Sequence, residues 1–343
     1  METNPNNNTQ DTISTAQNTT IEQPLTEVNT NGFFKLQFQN GSTFEGDFVN
    51  GEVNNKGTFT NQNGEIYKGT FDNNDDQVES GELTFDNGES HYKGGFKNGK
   101  FEGIGTLTNK NGDVYTGEFH NGLRHGKGKI IFTEGDEYEG DFVNGQIEGV
   151  GKLTIKDISQ YTGQFKNGVY EGNGTFIDFI NAETYIGGFK NGVKNGEGMF
   201  IMNNQDTYDG MFKDGKFNGR GKYIYNDGNI YEGEFKDGDF NGEGKLVFAN
   251  GDKYVGTFVK GIREGDGVFY FGNGSIYEGK FKNDSFDGEG ILYKGNGDII
   301  EGTFKEGMLS GKAVFYPKDG IPYDIDTNEP EEEKNVNEEE KNA

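Results

Sequence analysis

One short motif recurs along the whole central part of this chain. An aromatic or aliphatic residue is followed two places later by glycine and four places later by phenylalanine, and successive copies lie almost always 23 residues apart. The twelve copies begin at Phe44, Tyr67, Tyr92, Tyr115, Tyr138, Tyr161, Tyr185, Tyr208, Tyr231, Tyr254, Tyr277 and Ile300. A fixed period of this size is typical of a repeat array, in which each copy contacts only its neighbours. Function is therefore expected on an extended surface.

Each copy contains two alternating runs separated by turn residues. In the ninth copy, Tyr231, Gly233 and Phe235 share one face of the first run, while Glu232 and Glu234 share the other. A period of two predicts a β-strand, and the Asn-Gly or Asp-Gly pairs between runs favour tight hairpin reversals. A lone hairpin is marginal in water, so the copies are expected to stack. The sequence predicts an all-β fold, an elongated single-layer twisted antiparallel sheet of about twelve stacked β-hairpins.

Glycine fills the second inward position in every copy, although glycine inside a strand costs entropy and adds no packing. The simplest explanation is that an aromatic ring of a neighbouring hairpin lies across the bare backbone. The tyrosine, glycine and phenylalanine columns are therefore predicted to be structural core. Representative members are Tyr92, Gly94, Phe96, Tyr115, Gly117, Phe119, Tyr138, Gly140, Phe142, Tyr231, Gly233 and Phe235.

The departures from the pattern predict three regions. Residues 1–31 are rich in Asn, Thr and Gln and are expected to form a disordered N-terminal tail. Residues 32–323 form the repeat array, which opens with a half-copy near Gly32. Tyr323 begins a thirteenth copy, but Ile325 replaces the glycine, and residues 324–343 are expected to be an acidic disordered tail.

Composition excludes several classes of function. The formal charge is −26, and there is no basic run that could displace the counterions of a nucleic acid. The same charge argues against an anionic membrane as the main partner, although a local basic strip could escape a whole-chain sum. The chain has no cysteine, which fits a reducing compartment, and its N-terminus does not resemble a secretion signal. A cytoplasmic location is expected.

The ninth copy has the sequence YEGEFKDGDFNGEGKL, from Tyr231 to Leu246, and it closely resembles the MORN (membrane occupation and recognition nexus) repeat. The resemblance covers most of the chain and implies a β-hairpin array that acts as a non-enzymatic scaffold for protein-protein interaction, with no cofactor. Similar repeats precede lipid kinases and lysine methyltransferases, but residues 324–343 offer no place for an active site. Proteins built almost wholly of such repeats include radial-spoke heads of the ciliary axoneme and protist cytoskeletal collars. The resemblance therefore implies a cytoskeletal or ciliary assembly, with localisation at the cytoskeleton or cilium.

Catalytic and metal sites are not expected. His120 and His125 share one loop and could ligate a metal only if a third ligand converged on them. The Gly-Xaa-Gly pairs recur in nearly every copy and do not open a helix, so they are interpreted as structural. The run from Asp72 to Asp76 has closely spaced oxygen ligands but lacks the later glycine and glutamate of an EF-hand loop.

The outward column of the first strands is acidic and repeats from copy to copy. Such a stripe is either a solvated face whose like charges keep the protein soluble or a docking surface for basic partner proteins. The candidate partner-binding carboxylates are Glu118, Glu139, Asp141, Asp209, Glu232, Glu234 and Glu278.

Two other interactions stay open on the sequence alone. Aromatic rings along a groove, or exposed end strands, could support a homodimer. The alternative function is a peripheral membrane adaptor that binds acidic phospholipids through lysines that follow the phenylalanine column. Those lysines are Lys97, Lys166, Lys190, Lys213, Lys236 and Lys282.

Overall fold

The computed structural model describes residues 31–71 and 78–328. The chain divides into two compact units, one that ends at Ile180 and one that begins at Asn181. The described part of the first unit contains thirteen strands, with a 3-10 turn, Asp86–Gly88, between the fifth and the sixth. These strands are β1 (Gly32–Gln37), β2 (Thr43–Val49), β3 (Glu52–Thr60), β4 (Ile66–Phe71), β5 (Val78–Phe85), β6 (Ser90–Lys97), β7 (Lys100–Thr108), β8 (Val114–His120), β9 (Leu123–Ile131), β10 (Glu137–Val143), β11 (Gln146–Ile155), β12 (Ser159–Lys166) and β13 (Val169–Asp178).

The described part of the second unit, residues 181–328, also contains thirteen strands. They are β14 (Glu183–Lys190), β15 (Val193–Ile201), β16 (Thr207–Lys213), β17 (Lys216–Ile224), β18 (Ile230–Lys236), β19 (Asp239–Val247), β20 (Lys253–Val259), β21 (Ile262–Tyr270), β22 (Ile276–Lys282), β23 (Ser285–Tyr293), β24 (Ile299–Lys305), β25 (Met308–Tyr316) and β26 (Tyr323–Asp326).

Within each unit, every described strand pairs antiparallel with the strands before and after it. The strands make their main contacts with these sequence neighbours, so each unit is a single layer. The predicted all-β stack of antiparallel hairpins is confirmed.

The hairpin turns adopt the backbone conformation that their residues predict. Val143 pairs with Gln146, so the turn between β10 and β11 contains only two residues. These are Asn144 and Gly145, with φ of 50° and 86°. Positive φ at both central positions is the signature of a type I′ turn, whose twist matches that of the flanking strands. The predicted tight reversals at Asn-Gly pairs are confirmed.

Glycines of successive strands lie side by side and form a continuous row within each unit. Gly117 of β8 pairs with Gly128 of β9, which pairs on its other side with Gly140 of β10. A Cβ added to Gly128 would lie 2.4 Å from Cε2 of Tyr115. Since real Cβ atoms essentially never approach so closely, the ring occupies the space that any other residue would need.

The covering ring comes from the same hairpin. The prediction that a ring lies over the glycines is right, but the prediction that a neighbouring hairpin supplies it is wrong, because Tyr115 belongs to β8 itself. Its side chain extends along its own strand, and its hydroxyl donates a hydrogen bond to the carbonyl oxygen of Glu118 at 2.7 Å. The equivalent bond links Tyr231 to the carbonyl of Glu234 at 2.9 Å. This bond holds the ring over the glycine pair.

In the copies from Tyr92 onward, a residue nine places after the motif tyrosine covers the other face of the ring. Phe101 stacks on Tyr92 with ring centroids 3.6 Å apart, and the Arg124 guanidinium carbon lies 5.9 Å from the Tyr115 ring centroid. The tyrosine edge also contacts the phenylalanine of its own copy and that of the next, as Tyr92 contacts Phe96 and Phe119. Nine tyrosines are at most 1% exposed as a result. They are Tyr92, Tyr115, Tyr138, Tyr161, Tyr185, Tyr208, Tyr231, Tyr254 and Tyr277.

A bulge interrupts the second strand of each regular hairpin. Gly140 pairs with Gly151 but the next residue, Asp141, pairs with Glu148, so Gly149 and Val150 have no partner within this hairpin. Gly149 has a φ of 65°, which favours glycine. The first glycine of each Gly-Xaa-Gly pair therefore forms the bulge. It does not share the inward face with the second glycine, contrary to the simple alternation of residues along a strand.

The last strand extends beyond the predicted array. Residues 324–343 were assigned to a tail, but β26 continues to Asp326 and pairs with β25. Ile325 pairs with Ala313 and stands at the position where the first strand of every earlier hairpin of the second unit has a glycine. The sheet therefore continues beyond the end of the glycine row. The remaining predictions for the tails, and the suggested oxygen ligands at residues 72–76, lie outside the described residues.

Substitution in the glycine row should destabilise the fold far more than substitution in an exposed turn. An added Cβ at Gly221 would lie 2.5 Å from the hydroxyl oxygen of Tyr208, whereas one at Gly272 would lie no closer than 3.3 Å to any atom. We expect Gly221→Ala to lower the free energy of unfolding by about 1–3 kcal/mol and Gly272→Ala to change it by less than about 0.5 kcal/mol. Urea unfolding followed by circular dichroism measures both, and equal effects would contradict the ring-over-glycine packing.

The tyrosine column should make the protein sensitive to alkali. Burial raises the pKa of Tyr161, Tyr185 and Tyr254 to about 12. A group whose pKa is higher in the folded state contributes stability that is complete below its unfolded pKa, about 10, and is lost as the pH rises through the folded pKa. Tyrosinate absorbance of these rings should therefore appear only between about pH 10 and 12 and together with loss of the β-sheet spectrum. Ionisation of all tyrosines near pH 10 with an unchanged spectrum would contradict this expectation.

Candidate interaction surface

The face of the sheet opposite the tyrosine rings is outward, and it carries side chains on both sides of the glycine row. Over β16–β19 the row forms the floor of a shallow open groove of about 610 Å³. One wall is formed by the residue after each motif tyrosine and by its cross-strand partners. The other wall is formed by side chains that lie two residues further along the first strands and by their neighbours on the second strands. The first wall consists of Asp209, Lys222, Glu232 and Lys245 and ends at Val255 of β20, and the second includes Arg220, Glu234 and Glu243.

The predicted acidic carboxylates all lie on this outward face. Glu118, Glu139 and Asp141 belong to the first unit, and the other four belong to the second. All are exposed except Asp141, which is half-buried. The four in the second unit are Asp209, Glu232, Glu234 and Glu278.

Cationic side chains of the second strands interrupt the stripe. Glu232 lies between Lys222 and Lys245, with carboxylate-to-ammonium distances of 3.9 and 4.0 Å. Glu139 likewise lies between Lys129 and Lys152 on the adjacent strands. Exposed pairs of this kind contribute little stability each, but they offset the negative charge locally. Much of the face is therefore mixed in charge and not uniformly acidic.

Two of the carboxylates also bond to backbone groups in the bulge. Asp141 Oδ2 accepts a hydrogen bond from the backbone N–H of Val150 at 2.9 Å, and Glu118 Oε1 accepts one from the N–H of Lys127 at 3.0 Å. The Lys127 ammonium also lies 2.5 Å from Asp141 Oδ1. The hydrogen bond from Lys127, together with that from Val150, lowers the pKa of Asp141. This structural role could not be predicted from the sequence pattern, because alternation alone does not reveal the bulge that creates the free N–H groups.

Glu278 differs from the other members of the stripe. Its cross-strand neighbours are Val268 on β21 and Ile291 on β23. Among the described residues, no lysine or arginine forms an ion pair with it. Its carboxylate is exposed beside apolar side chains.

The repeats match the family model described as "MORN repeat". Eleven segments match, and together they cover more than two thirds of the chain. The chain belongs to the MORN repeat family. The matched segments are residues 44–66, 92–114, 115–137, 138–157, 161–178, 185–207, 208–230, 231–253, 254–276, 277–299 and 301–320.

The predicted copy at Tyr67 is not among the matched segments, although β4 and β5 pair as its hairpin. It is also the longest copy, since the next begins at Tyr92. MORN repeats are interaction modules for proteins or membrane lipids.

No curated protein matches this MORN chain. Solved structures with some likeness include a mutant of the TCP10 domain of Danio rerio CPAP, at 10% identity and a TM-score of 0.17, covering 86% of this chain and 99% of that one. The SAS-4 TCP domain of Drosophila melanogaster, in complex with a proline-rich motif of Ana2, has 10% identity and a TM-score of 0.18, covering 59% and 84%. Streptogramin B lyase has 12% identity and a TM-score of 0.14, covering 89% and 86%. Likeness at this level does not extend the functional argument.

Two of the three histidines of the MORN array, His120 and His125, lie close together at one hairpin tip. Their ring centroids are 5.6 Å apart, and His120 Nδ1 lies 3.1 Å from Glu102 Oε1. His125 Nδ1 is buried without a hydrogen-bond partner. Across residues 31–71 and 78–328, no group of three or more potential ligands is placed to hold a metal ion. The same part of the chain contains no helix with the length and apolarity needed to span a membrane.

The predicted lysine ridge lies at the hairpin tips of the MORN array. Lys190, Lys213 and Lys236 are exposed, and each immediately precedes the two residues of a tight turn. Asp214 and Asp237 occupy the turns after Lys213 and Lys236, whereas the neutral Asn191 follows Lys190. The aspartates weaken the attraction of their part of the ridge for an anionic surface.

The bulge contact should distinguish two carboxylates on the same strand. We expect Asp141→Ala to lower the free energy of unfolding by about 1–3 kcal/mol, because it removes charge-assisted hydrogen bonds and leaves the Val150 N–H unpaired. Glu139→Ala, which removes only exposed charge on β10, should change it by less than about 0.5 kcal/mol. Thermal and urea unfolding of both variants provide the measurement. Equal costs would show that Asp141 is an ordinary surface charge.

Proposed function

We propose that this MORN protein is a non-enzymatic scaffold that positions partner proteins along a cytoskeletal or ciliary structure. The observation that carries the proposal is that one face of the sheet is buried as core while the other face is accessible to partners. Nine inward tyrosines are at most 1% exposed and provide the core, whereas the outward side chains recur at the cross-strand spacing and remain accessible. A periodic surface of this kind binds partners by geometry and needs no catalytic group.

The surface chemistry favours proteins over nucleic acids as partners. The outward face of β16–β19 presents ion-pairing side chains of both signs on the two sides of an open groove. Such alternation supplies specificity to a protein partner through complementary charges. A polyanion would instead require a face of clustered cations.

A membrane adaptor for acidic phospholipids is the second candidate. The observation that favours it is the row of exposed lysines at the hairpin tips, which stand beside exposed Val193, Val259 and Ile262 in the second unit. Apolar side chains between lysines are typical of surfaces that bind anionic bilayers. The carboxylates in the same turns make this candidate the weaker of the two.

Detergent extraction of cells that carry the tagged full-length protein tests the proposal. We expect the protein to remain with the detergent-resistant cytoskeleton or axoneme and to crosslink there to neighbouring proteins. Release with the membrane fraction, together with salt-sensitive cosedimentation with vesicles that contain phosphatidylserine, would contradict the scaffold and support the lipid adaptor. Recovery entirely in the fraction that contains neither membranes nor cytoskeleton would contradict both locations.

A further inference from the structure

The outward face of the second unit changes in chemistry between β19 and β20. One row on this face consists of the residue that follows the first residue of each motif, together with its cross-strand partners. Over β16–β19 this row is charged and consists of Asp209, Lys222, Glu232 and Lys245. Over β20–β25 the same row contains no lysine or arginine. It consists there of Val255, Val268, Glu278, Ile291, Glu301 and Val314.

The adjacent row on the same face is also apolar over the last strands. On each first strand it lies two residues before the row just described. Its members are half-buried. They are Tyr270, Ile276, Tyr293, Ile299 and Tyr316, which pair with one another in succession across β21–β25. We name these residues, with Val268, Ile291 and Val314, the apolar platform. No described strand packs on it, because the strands of this unit make their main contacts with their sequence neighbours. At its β20 edge, the Lys253 ammonium lies 3.7 Å from the Tyr270 ring centroid.

Two carboxylates lie within the platform without a cation. Glu278 lies between Val268 and Ile291, and Glu301 lies between Ile291 and Val314. Glu301 accepts a hydrogen bond from the Tyr316 hydroxyl at 3.1 Å. Neither forms an ion pair with any described residue, in contrast to Glu232 with its two lysines. Carboxylates surrounded by apolar surface complement a cationic and apolar partner.

We propose that the apolar platform binds a basic amphipathic helix of a partner protein, with lysine or arginine side chains at Glu278 and Glu301. The inference rests on the proposed scaffold function and names the chemistry of one partner. A helix fits better than an added strand, because the backbone groups of β20–β25 are already paired on both sides with neighbouring strands.

The dimensions of the platform define the helix. The five strands of the platform, β21–β25, extend over about 19 Å at about 4.8 Å spacing, which corresponds to about 13 residues of α-helix at 1.5 Å per residue. Glu278 on β22 and Glu301 on β24 are two strands apart, about 10 Å. Residues seven apart on a helix are separated by about 10.5 Å and lie on the same face. The partner helix should therefore carry two basic residues seven positions apart, beside an apolar stripe.

The test uses the full-length chain and a fluorescent synthetic peptide of about 13 residues. The probe has leucines along one face and two lysines seven positions apart, and fluorescence anisotropy measures its binding. We expect saturable binding that Ile291→Asp weakens at least tenfold, about 1.4 kcal/mol, and that Glu278→Lys with Glu301→Lys weakens similarly. Glu232→Lys on the same face is the matched control and should change affinity less than about twofold, because its site is already paired with lysines. Circular dichroism of each variant verifies that it is folded, and the surface pair Glu278→Lys with Glu301→Lys keeps the test valid if Ile291→Asp unfolds.

Several outcomes would overturn the inference without affecting the scaffold proposal. They are absence of binding, equal binding of a scrambled peptide with the same composition, or equal loss with Glu232→Lys. A dimer in analytical ultracentrifugation that Ile291→Asp dissociates would assign the platform to a second copy of this chain and would also overturn it. Conversely, the scaffold proposal fails if the protein is not retained by the cytoskeleton, whatever the peptide does.

Discussion

The packing of one tyrosine ring against two bare glycine backbones is the interaction on which each hairpin depends. The ring can approach the backbone only because both strands lack a Cβ at that point, and its hydroxyl is anchored to a carbonyl three residues further along its own strand. A residue nine places later closes the other face of the ring, and phenylalanines of two successive copies contact its edge. Each copy thus supplies its own ring but needs the next copy to complete the enclosure, which makes the array cooperative between neighbours.

Sequence alone predicts the part of this arrangement that is periodic. The Tyr-Gly-Phe spacing and the Asn-Gly pairs were sufficient for the strands, the turns and the inward face. The origin of the covering ring was predicted wrongly, because a column of tyrosines is compatible with contact either within a hairpin or between hairpins. The residue that covers the ring was missed because its identity varies among Phe101, Arg124 and Lys194. Each of these side chains is either flat or long enough to cover the ring, so a search by size and shape at that column could have found it.

The outward face was harder to predict because a repeated carboxylate can serve unlike purposes. Asp141 binds a backbone N–H in the bulge, Glu232 pairs with lysines of the adjacent strands, and Glu278 has apolar neighbours. Glu232 and Glu278 occupy the same motif position and differ in what stands opposite them, whereas Asp141 lies two residues further along its strand, beside the bulge. Cross-strand register decides that question, and the register depends on a bulge that simple alternation does not reveal.

The single-layer construction explains why this face can vary so much along one chain. In a sandwich the second face of each sheet would have to pack on another layer, and its side chains would be constrained by volume. Here the enclosed rings supply the core from one side, so a change of outward residue alters the surface without opening a cavity. One outward row can therefore contain lysines that offset its carboxylates over β16–β19 and contain none over β20–β25 while the strand pairing repeats. Net charge is consequently a poor guide to what such a protein binds, and the local cross-strand neighbours of each charge are the better one.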